Sequence, residues 1–411
     1  MNPTGAMDRR NGLIFLANFI LIFLAAPVLY IGVVQAALCD KLGAGALVAN
    51  LPMAAYQFGQ VAPFLLAWWA PHRWEKNVVV GANLVTASLI LAVLVSLALP
   101  FPPAVRIGAV LTQGLLQGLS ASSSQVFMIQ CLRRGTTPEG QARTLKMTFS
   151  VTPFFAVAGS LGAQYVLHPG IPGLSYPYDF ALLYLLAVPC VLGVALLSSR
   201  FDLPPVEDEP RPPLDEYVVG SVRQFAAVRP FVLLWLGYLA WNSTLGATTN
   251  FSLYTREAVG RDPKELSGYI LALRFGCKAL GGYLLGWLAV RRGLRAAVIA
   301  TCLLMGAGCV WSWIVPGYGY LFAFGLLGIG ELGGAFFPNY MAALSPVTEG
   351  ARNVALLTMA TPFSGFAPAF HGWLTERFGF AWSFAGGLLT AVLAAVLVAA
   401  IRRKPGEGGQ R

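Results

Sequence analysis

The chain has 411 residues, of which 56% are hydrophobic and only 11% charged, with a formal net charge of +10. That charge fraction is roughly half of what a soluble protein carries, which excludes a soluble globular domain. The basic excess does not point to nucleic acid either, because Lys and Arg are scattered singly or in pairs between apolar runs rather than gathered on one stripe.

A hydrocarbon core about 30 Å thick takes about 20 apolar residues of helix. Breaking the sequence at Gly, Pro and charge predicts spans over 12–38, 45–70, 78–99, 105–132, 146–167 and 179–199, then 230–254, 267–290, 294–315, 317–343, 353–375 and 380–401. The first run is longer than the roughly 7–15 apolar residues of a signal peptide, so it is expected to stay attached as span one. Between the two sets, 200–229 carries Asp202, Glu207, Asp208, Glu209, Asp215, Glu216 and five prolines, too polar and Pro-rich for a span. Within that stretch, Ser221–Val228 reads either as a short amphipathic interfacial helix or as plain linker. The expectation is an all-α polytopic membrane protein with a six-helix bundle over 1–199, a linker over 200–229, a second six-helix bundle over 230–402 and a tail over 403–411.

An even number of spans puts both termini on one side, and basic loops decide which side that is. Of the 28 Lys and Arg, 20 fall on the side of the termini, six (Lys41, Arg106, Arg256, Arg261, Lys264, Arg377) on the other, and Arg274 and Lys278 inside a span. Both termini are therefore expected in the cytoplasm, with the chain in the plasma membrane, the inner one in a bacterium. Six cysteines without CxxC spacing read as small hydrophobes, and His72, His168 and His371 are too dispersed for a metal or catalytic site. The absence of a GxxxxGK[ST] loop argues against ATP-driven pumping. No cofactor, metal, nucleic-acid partner or enzymatic activity is expected, and small residues in the spans read as packing inside a monomer.

The halves echo each other. Thr137-Pro138-Glu139-Gly140 after span four recurs as Val347-Thr348-Glu349-Gly350 after span ten, and Thr152-Pro153-Phe154 in span five as Thr361-Pro362-Phe363 in span eleven. The agreement of offset and of topological position reads as duplication.

After span eight, Gly286-Trp287-Leu288-Ala289-Val290-Arg291-Arg292-Gly293-Leu294-Arg295 resembles the G-x-L-a-D-R-x-G-r-[KR] signature of the major facilitator superfamily. Leu116-Gln117-Gly118-Leu119-Ser120-Ala121 in span four is similar to the family's R-x-x-Q-G-x-g-a element, and Gly372-Trp373-Leu374-Thr375-Glu376 with Gly379 also fits. With twelve spans and a central linker, the resemblance covers essentially the whole chain. It implies a transporter whose two bundles rock around a cavity lined by spans 1, 2, 4, 5, 7, 8, 10 and 11, with Gly286, Arg291, Arg292 and Gly293 as gating residues. Three departures matter: Pro71 and Val290 replace the aspartate of the two signature copies, and Gly114 replaces an arginine implicated in proton coupling. An antiporter G-x-x-x-G-P run is absent from Val151–Tyr165.

The fold does not name the cargo, so the charged residues inside spans carry the functional reading, each costing at least about 2.5 kcal/mol to insert. Arg274 and Lys278 share a face of span eight, about 11 and 17 Å below Ser267, while Glu331 lies about 21 Å below Gly317. A Lys278–Glu331 ion pair that packs the second bundle is one reading, supported by Gly328 and Gly334 on the stripe of Glu331. The group still sums to +1 and leaves Arg274 without a partner in the spans. A bound anion is one complement, and backbone carbonyls or a wet vestibule are another. Glu331 is the candidate for proton coupling. Gln57, Gln113, Gln117, Trp241, Asn242 and Tyr340 read as cavity lining or as interhelical glue. The expected activity is secondary or facilitative transport of a small organic anion. The alternatives are a proton-coupled multidrug-type or sugar or nucleoside permease, and a non-transporting sensor or lipid-handling protein.

Overall fold

The computed structural model describes residues 5–70, 72–168, 171–205, 213–346 and 349–401. Outside the described residues lie 206–212 of the linker, the tail beyond Ile401, Pro71 of the first signature copy, and Val347 and Thr348 of the second repeat.

Span one is three helices, α1 (Gly5–Leu24), α2 (Ala26–Leu29) and α3 (Val33–Lys41), because Pro27 starts a new helix and Gly32, at φ +141°, holds a backbone turn that a side chain resists. Span two is α4 (Ala46–Gly59) with α5 (Ala62–Trp69). Single helices then follow: α6 (Glu75–Ala98), α7 (Pro103–Gly135), α8 (Pro138–Leu167) and α9 (Tyr178–Ser198). In the linker, α10 (Leu214–Ala226) starts seven residues before the expected Ser221, since Pro213 stops the preceding chain and Asp215 and Glu216 favour the positive end of a helix.

Span seven is α11 (Arg229–Leu245) with α12 (Thr248–Val259), followed by α13 (Pro263–Arg292) and α14 (Leu294–Ile314). Span ten opens with a 3-10 turn over Gly317–Leu321 and continues as α15 (Phe322–Gly330) and α16 (Gly333–Leu344). Span eleven is α17 (Gly350–Thr358), α18 (Ala360–Phe363) and α19 (Phe366–Phe378), and span twelve is α20 (Phe380–Ala399).

By length and apolarity α6, α8, α9, α14, the Gly317–Leu344 stretch and α20 would each cross a bilayer unaided. The others are divided by breaks or carry polar groups. The 33-residue α7 holds Gln113, Gln117, Ser120 and Ser122–Gln125, and the 30-residue α13 holds Arg274 and Lys278. Helices that look least suited to lipid are the ones that face other helices.

Two seams join the bundles: α8 packs on α13, and α4 on α19. A repeat relating span n to span n + 6 exchanges these seams, which is what a twofold between duplicated halves requires. Both tighten at the end of the molecule away from the termini. The Gln164 carboxamide of α8 accepts from Gly268 N (2.9 Å) and Tyr269 N (3.2 Å) in the first turns of α13 and donates to the Glu265 carbonyl. At the other seam, Glu376 of α19 accepts from Leu47 N (2.8 Å) at the start of α4. Glu376 thus caps the N-terminus of α4, while Gln164 bonds backbone groups within the first two turns of α13, whose N-terminus is capped by its own Asp262. Around them Arg256 grips Asp40 through two bonds (3.1 and 2.6 Å), Lys41 pairs with Asp262, Lys264 with Asp179, and Asn50 donates to Asn250 (2.6 Å).

At the end that carries the termini, the polar contacts brace single bundles. Arg134 pairs with Glu75 (2.7 Å), Asp8 accepts from Thr137 N (2.7 Å), and Arg295 donates to the Val398 and Ala399 carbonyls. Along the α8–α13 seam, contact runs from Gln164–Gly268 down to Val157–Gly276. One turn further on the same faces, Phe154 and Leu280 are each 72% exposed. The two faces are uncovered there.

Candidate functional site

The break in span one builds the first wall of the site. Gln35 Nε2 donates to the Val28 carbonyl (2.8 Å) while its Oε1 accepts from Gly32 N (3.1 Å), and Gln117 Nε2 donates to the Leu29 carbonyl (2.9 Å). These bonds satisfy backbone groups that the broken helix leaves orphaned, and they fix Tyr30 at the joint with its ring turned to the second bundle. The ring lies 5.3 Å from Phe275 and under both cations of α13, 5.1 Å from the Arg274 guanidinium carbon and 5.6 Å from Lys278 Nζ.

The opposite wall is set by glycine. A Cβ on Gly328 would run into the Arg274 carbonyl, and one on Gly281 into Ile329, so α13 and α15 approach backbone to backbone. That approach carries Glu331, the residue following α15, to the cations. Its Oε1 pairs with Arg274, and its Oε2 lies 3.3 Å from Lys278 Nζ and 3.5 Å from the Tyr30 hydroxyl. Lys278 also donates to Tyr30 at 3.2 Å. Trp241 steadies the α15–α16 joint by donating to the Gly330 carbonyl at 3.1 Å, stacked on Tyr238.

The expectation that Arg274 lacks a partner in the spans is therefore corrected. Depth counted along straight helices misplaced it, since α13 begins four residues before Ser267, which sets Arg274 about 6 Å deeper and nearer the level of Glu331. Glu331 bridges both cations, and the net charge of the group stays at +1. Arg274 and Glu331 are sealed, with side chains 4% and 2% exposed, whereas that of Lys278 is 23% exposed. Lys278 lies two residues beyond Gly276 and so on the opposite side of α13 from the α8 seam, facing Tyr30 and Glu331. It is the most exposed of the three side chains.

The other expected site residues separate. Gln113 donates to Gln117 (2.9 Å) and accepts from Tyr184 (3.0 Å), so both amides are engaged inside the first bundle. Asn242 donates to Tyr238 O in its own helix (2.9 Å). Tyr340 is buried in α16. Gln57 differs: it is 1% exposed and neither amide atom has a hydrogen-bond partner, which costs about 1–3 kcal/mol. Tyr30 was missed because it stands in an apolar run, although Pro27 and Gly32 on either side signal the joint that presents it.

At the other end of α13, Arg291 lies over Trp287 (4.5 Å), Gly293 turns the chain at φ +85° into α14, and Gly286 has open space around it. Arg292 is exposed on the last turn. Val290, in the signature's aspartate position, is 88% exposed.

No protein-family model matches the chain, and no curated protein does. Solved structures match it over nearly its full length. The fucose:proton symporter FucP of E. coli, a major facilitator superfamily transporter, is 14% identical, with 94% of this chain and 97% of that chain covered and a TM-score of 0.63. A bacterial homologue of the iron transporter ferroportin in an inward-facing state gives 16%, 95%, 98% and 0.65, and a D-xylose-proton symporter 12%, 96%, 96% and 0.66.

The chain has the major facilitator fold.

It is thus an integral membrane protein of twelve helices in two six-helix bundles. Within that fold, Gly114 takes the place of the arginine in the span-four element, and a Cβ there would meet the Pro52 carbonyl of α4, just as one on Gly118 would meet that of Tyr56. No larger residue fits while α4 and α7 stay this close. Gly118→Ala is expected to destabilise by about 2 kcal/mol through overpacking, read as a lower melting temperature in detergent. An unchanged melting temperature would mean that the helices part freely.

Proposed function

We propose that this major facilitator protein is a secondary transporter that carries a small organic anion by alternating access of a site between its bundles. One observation carries the reading: a buried cluster of Arg274, Lys278 and Glu331 with net charge +1, held against Tyr30 of the first bundle. A net charge out of bulk water calls for a counter-charge, and the partly exposed ammonium of Lys278 offers the place for it. Gln57, with no partner in the described residues, is a candidate to receive a polar group of the cargo. With the termini in the cytoplasm, as the basic loops predict, the seam at Gln164 and Glu376 is the closed outer gate.

A neutral sugar or nucleoside is the second reading. It is supported by structural relatives named as fucose, D-xylose and nucleoside transporters. The buried positive charge places it second, since a neutral cargo leaves that charge uncompensated.

The test is thermal stability of the purified protein with carboxylates, phosphates, sugars, nucleosides and cationic drugs. A ligand at 100 times its Kd adds about 2.7 kcal/mol to the native state. Stabilisation by anions that disappears in Lys278→Gln supports the reading. Stabilisation by neutral or cationic compounds alone, unchanged in that variant, overturns it. Proton coupling through Glu331 is tested by repeating the anion series at pH 6 and pH 8. Affinity independent of pH in that range removes Glu331 from the coupling role and leaves it the counter-ion of Arg274.

A further inference from the structure

We infer that the cargo carries a single negative charge and that the protein exchanges one such anion for another rather than moving it alone. The inference rests on the anion reading above and gives it a charge and a mode.

The starting point is the charge balance. Among the described residues, the Asp, Glu, Lys and Arg side chains in the middle of the helices are Arg274, Lys278 and Glu331, while Glu75–Arg134, Asp179–Lys264 and Lys41–Asp262 pair near the ends. Two cations and one carboxylate leave +1. A monoanion brings the site to neutrality, whereas a dianion overshoots to −1 and restores the burial penalty with the opposite sign.

The geometry offers one berth of that size. Both oxygens of Glu331 are engaged, Oε1 by Arg274 and Oε2 by Lys278 at 3.3 Å. The ammonium has three N–H groups. One points to Glu331 and one to Tyr30 at 3.2 Å, which leaves one for a ligand. Tyr30, whose oxygen accepts from Lys278, keeps its own O–H to donate. It lies 3.5 Å from Glu331, a long bond that a closer acceptor would replace. One anionic oxygen bonded to Lys278 Nζ and Tyr30 Oη would therefore touch a charge of the second bundle and a hydroxyl of the first at once. Arg274, with its side chain 4% exposed and held by Glu331, takes no part in direct contact.

Exchange follows from the same balance. While the site is open, water reaches the partly exposed Lys278. Alternating access requires the site to close before the other gate opens, and closure expels that water. The loaded site closes neutral, but the empty site must close with a net charge in low dielectric, which adds to its barrier. Each 1.4 kcal/mol added slows the empty return about tenfold.

The experiment is uptake into liposomes holding the reconstituted protein, with radiolabelled lactate, gluconate and benzoate as monoanions, succinate as a dianion, and fucose and uridine as neutral solutes. The expected result is that at least one monoanion enters liposomes preloaded with the same unlabelled anion at least about tenfold faster than empty ones, with succinate well behind. Glu331→Gln raises the cluster to +2 and is expected to shift preference toward succinate. If that variant fails to insert, the wild-type comparison decides alone. Empty liposomes filling as fast as preloaded ones, or succinate carried as well as any monoanion, would overturn this inference while leaving anion transport standing. Uptake of fucose or uridine with no anion carried, or no uptake of any probe, overturns both.

Discussion

Lys278→Gln is expected to lower anion uptake by roughly 100-fold while leaving the melting temperature near wild type, and Arg274→Gln to do the reverse in order of severity, costing the fold first. The two residues lie on one face of α13, so a reading from sequence treats them alike. The structure separates them by exposure and by partner. Without Lys278, Glu331 keeps its pair with Arg274 and the Tyr30 hydroxyl, and the cluster becomes neutral. The fold loses little, but an anion loses its charge-assisted partner, worth about 2–5 kcal/mol when one side of a buried pair is truncated. Without Arg274, a carboxylate with a side chain 2% exposed is left to a single ammonium at 3.3 Å. Breaking a buried pair in this way costs about 3–5 kcal/mol. Uptake by reconstituted protein and melting temperature in detergent, measured on both variants, check the assignment. A stable, inactive Arg274→Gln beside an unstable Lys278→Gln would exchange their roles.

The second large effect concerns the seam. Removing both cross-bundle side-chain contacts, Gln164→Ala with Glu376→Ala, is expected to shift the conformational balance toward opening at that end by about 100-fold. A hydrogen bond to a charged group contributes about 1.5–3 kcal/mol and a neutral one about 1, so the pair removes roughly 3 kcal/mol, or two powers of ten in an equilibrium. The surrounding Arg256–Asp40 pair would not compensate, because the arginine side chain is 56% exposed and exposed pairs contribute about 1 kcal/mol or less. A cysteine at Asn50, which is buried at this seam against Asn250, placed in a background without the native cysteines, reports the change through its labelling rate with a membrane-impermeant maleimide. Equal labelling with and without Gln164 and Glu376 would show that apolar packing, not these contacts, holds this end shut.

Much of the architecture was legible because lipid imposes a coarse rule: a span needs length and apolarity, and its loops need charge. The twelve runs are found as helices in the expected order, and among the interruptions are those at Pro27, Gly32 and the glycines around Glu331. The site was legible in composition but not in pairing. Arg274, Lys278 and Glu331 stand out as charges in apolar runs. Which cation meets Glu331 depends on where α13 starts, which shifts depth by about 6 Å, and on Gly328 lying against the Arg274 carbonyl, a contact that needs both helices in place. Gln113 and Gln117 show the opposite error. Amides in a span advertise a cavity, but here they satisfy each other, Tyr184 and a carbonyl freed by the break in span one. Tyr30 carries no signal of its own. Its role comes from a neighbouring proline and glycine that turn an apolar tyrosine into a cross-bundle contact.

The two seam contacts also bear on ancestry and tuning. A half-length protein with such a seam would close as an isologous pair, each copy lending its contact to the other, and any substitution would strike both seams at once. In a fused chain the two copies are free to diverge, and here they have: one seam is held by the neutral Gln164 against the second turn of α13, the other by the anionic Glu376 at the first turn of α4. The two seams therefore answer differently to their surroundings. Raising ionic strength screens the carboxylate against its helix terminus and leaves the carboxamide almost untouched, so salt loosens one side of this gate before the other.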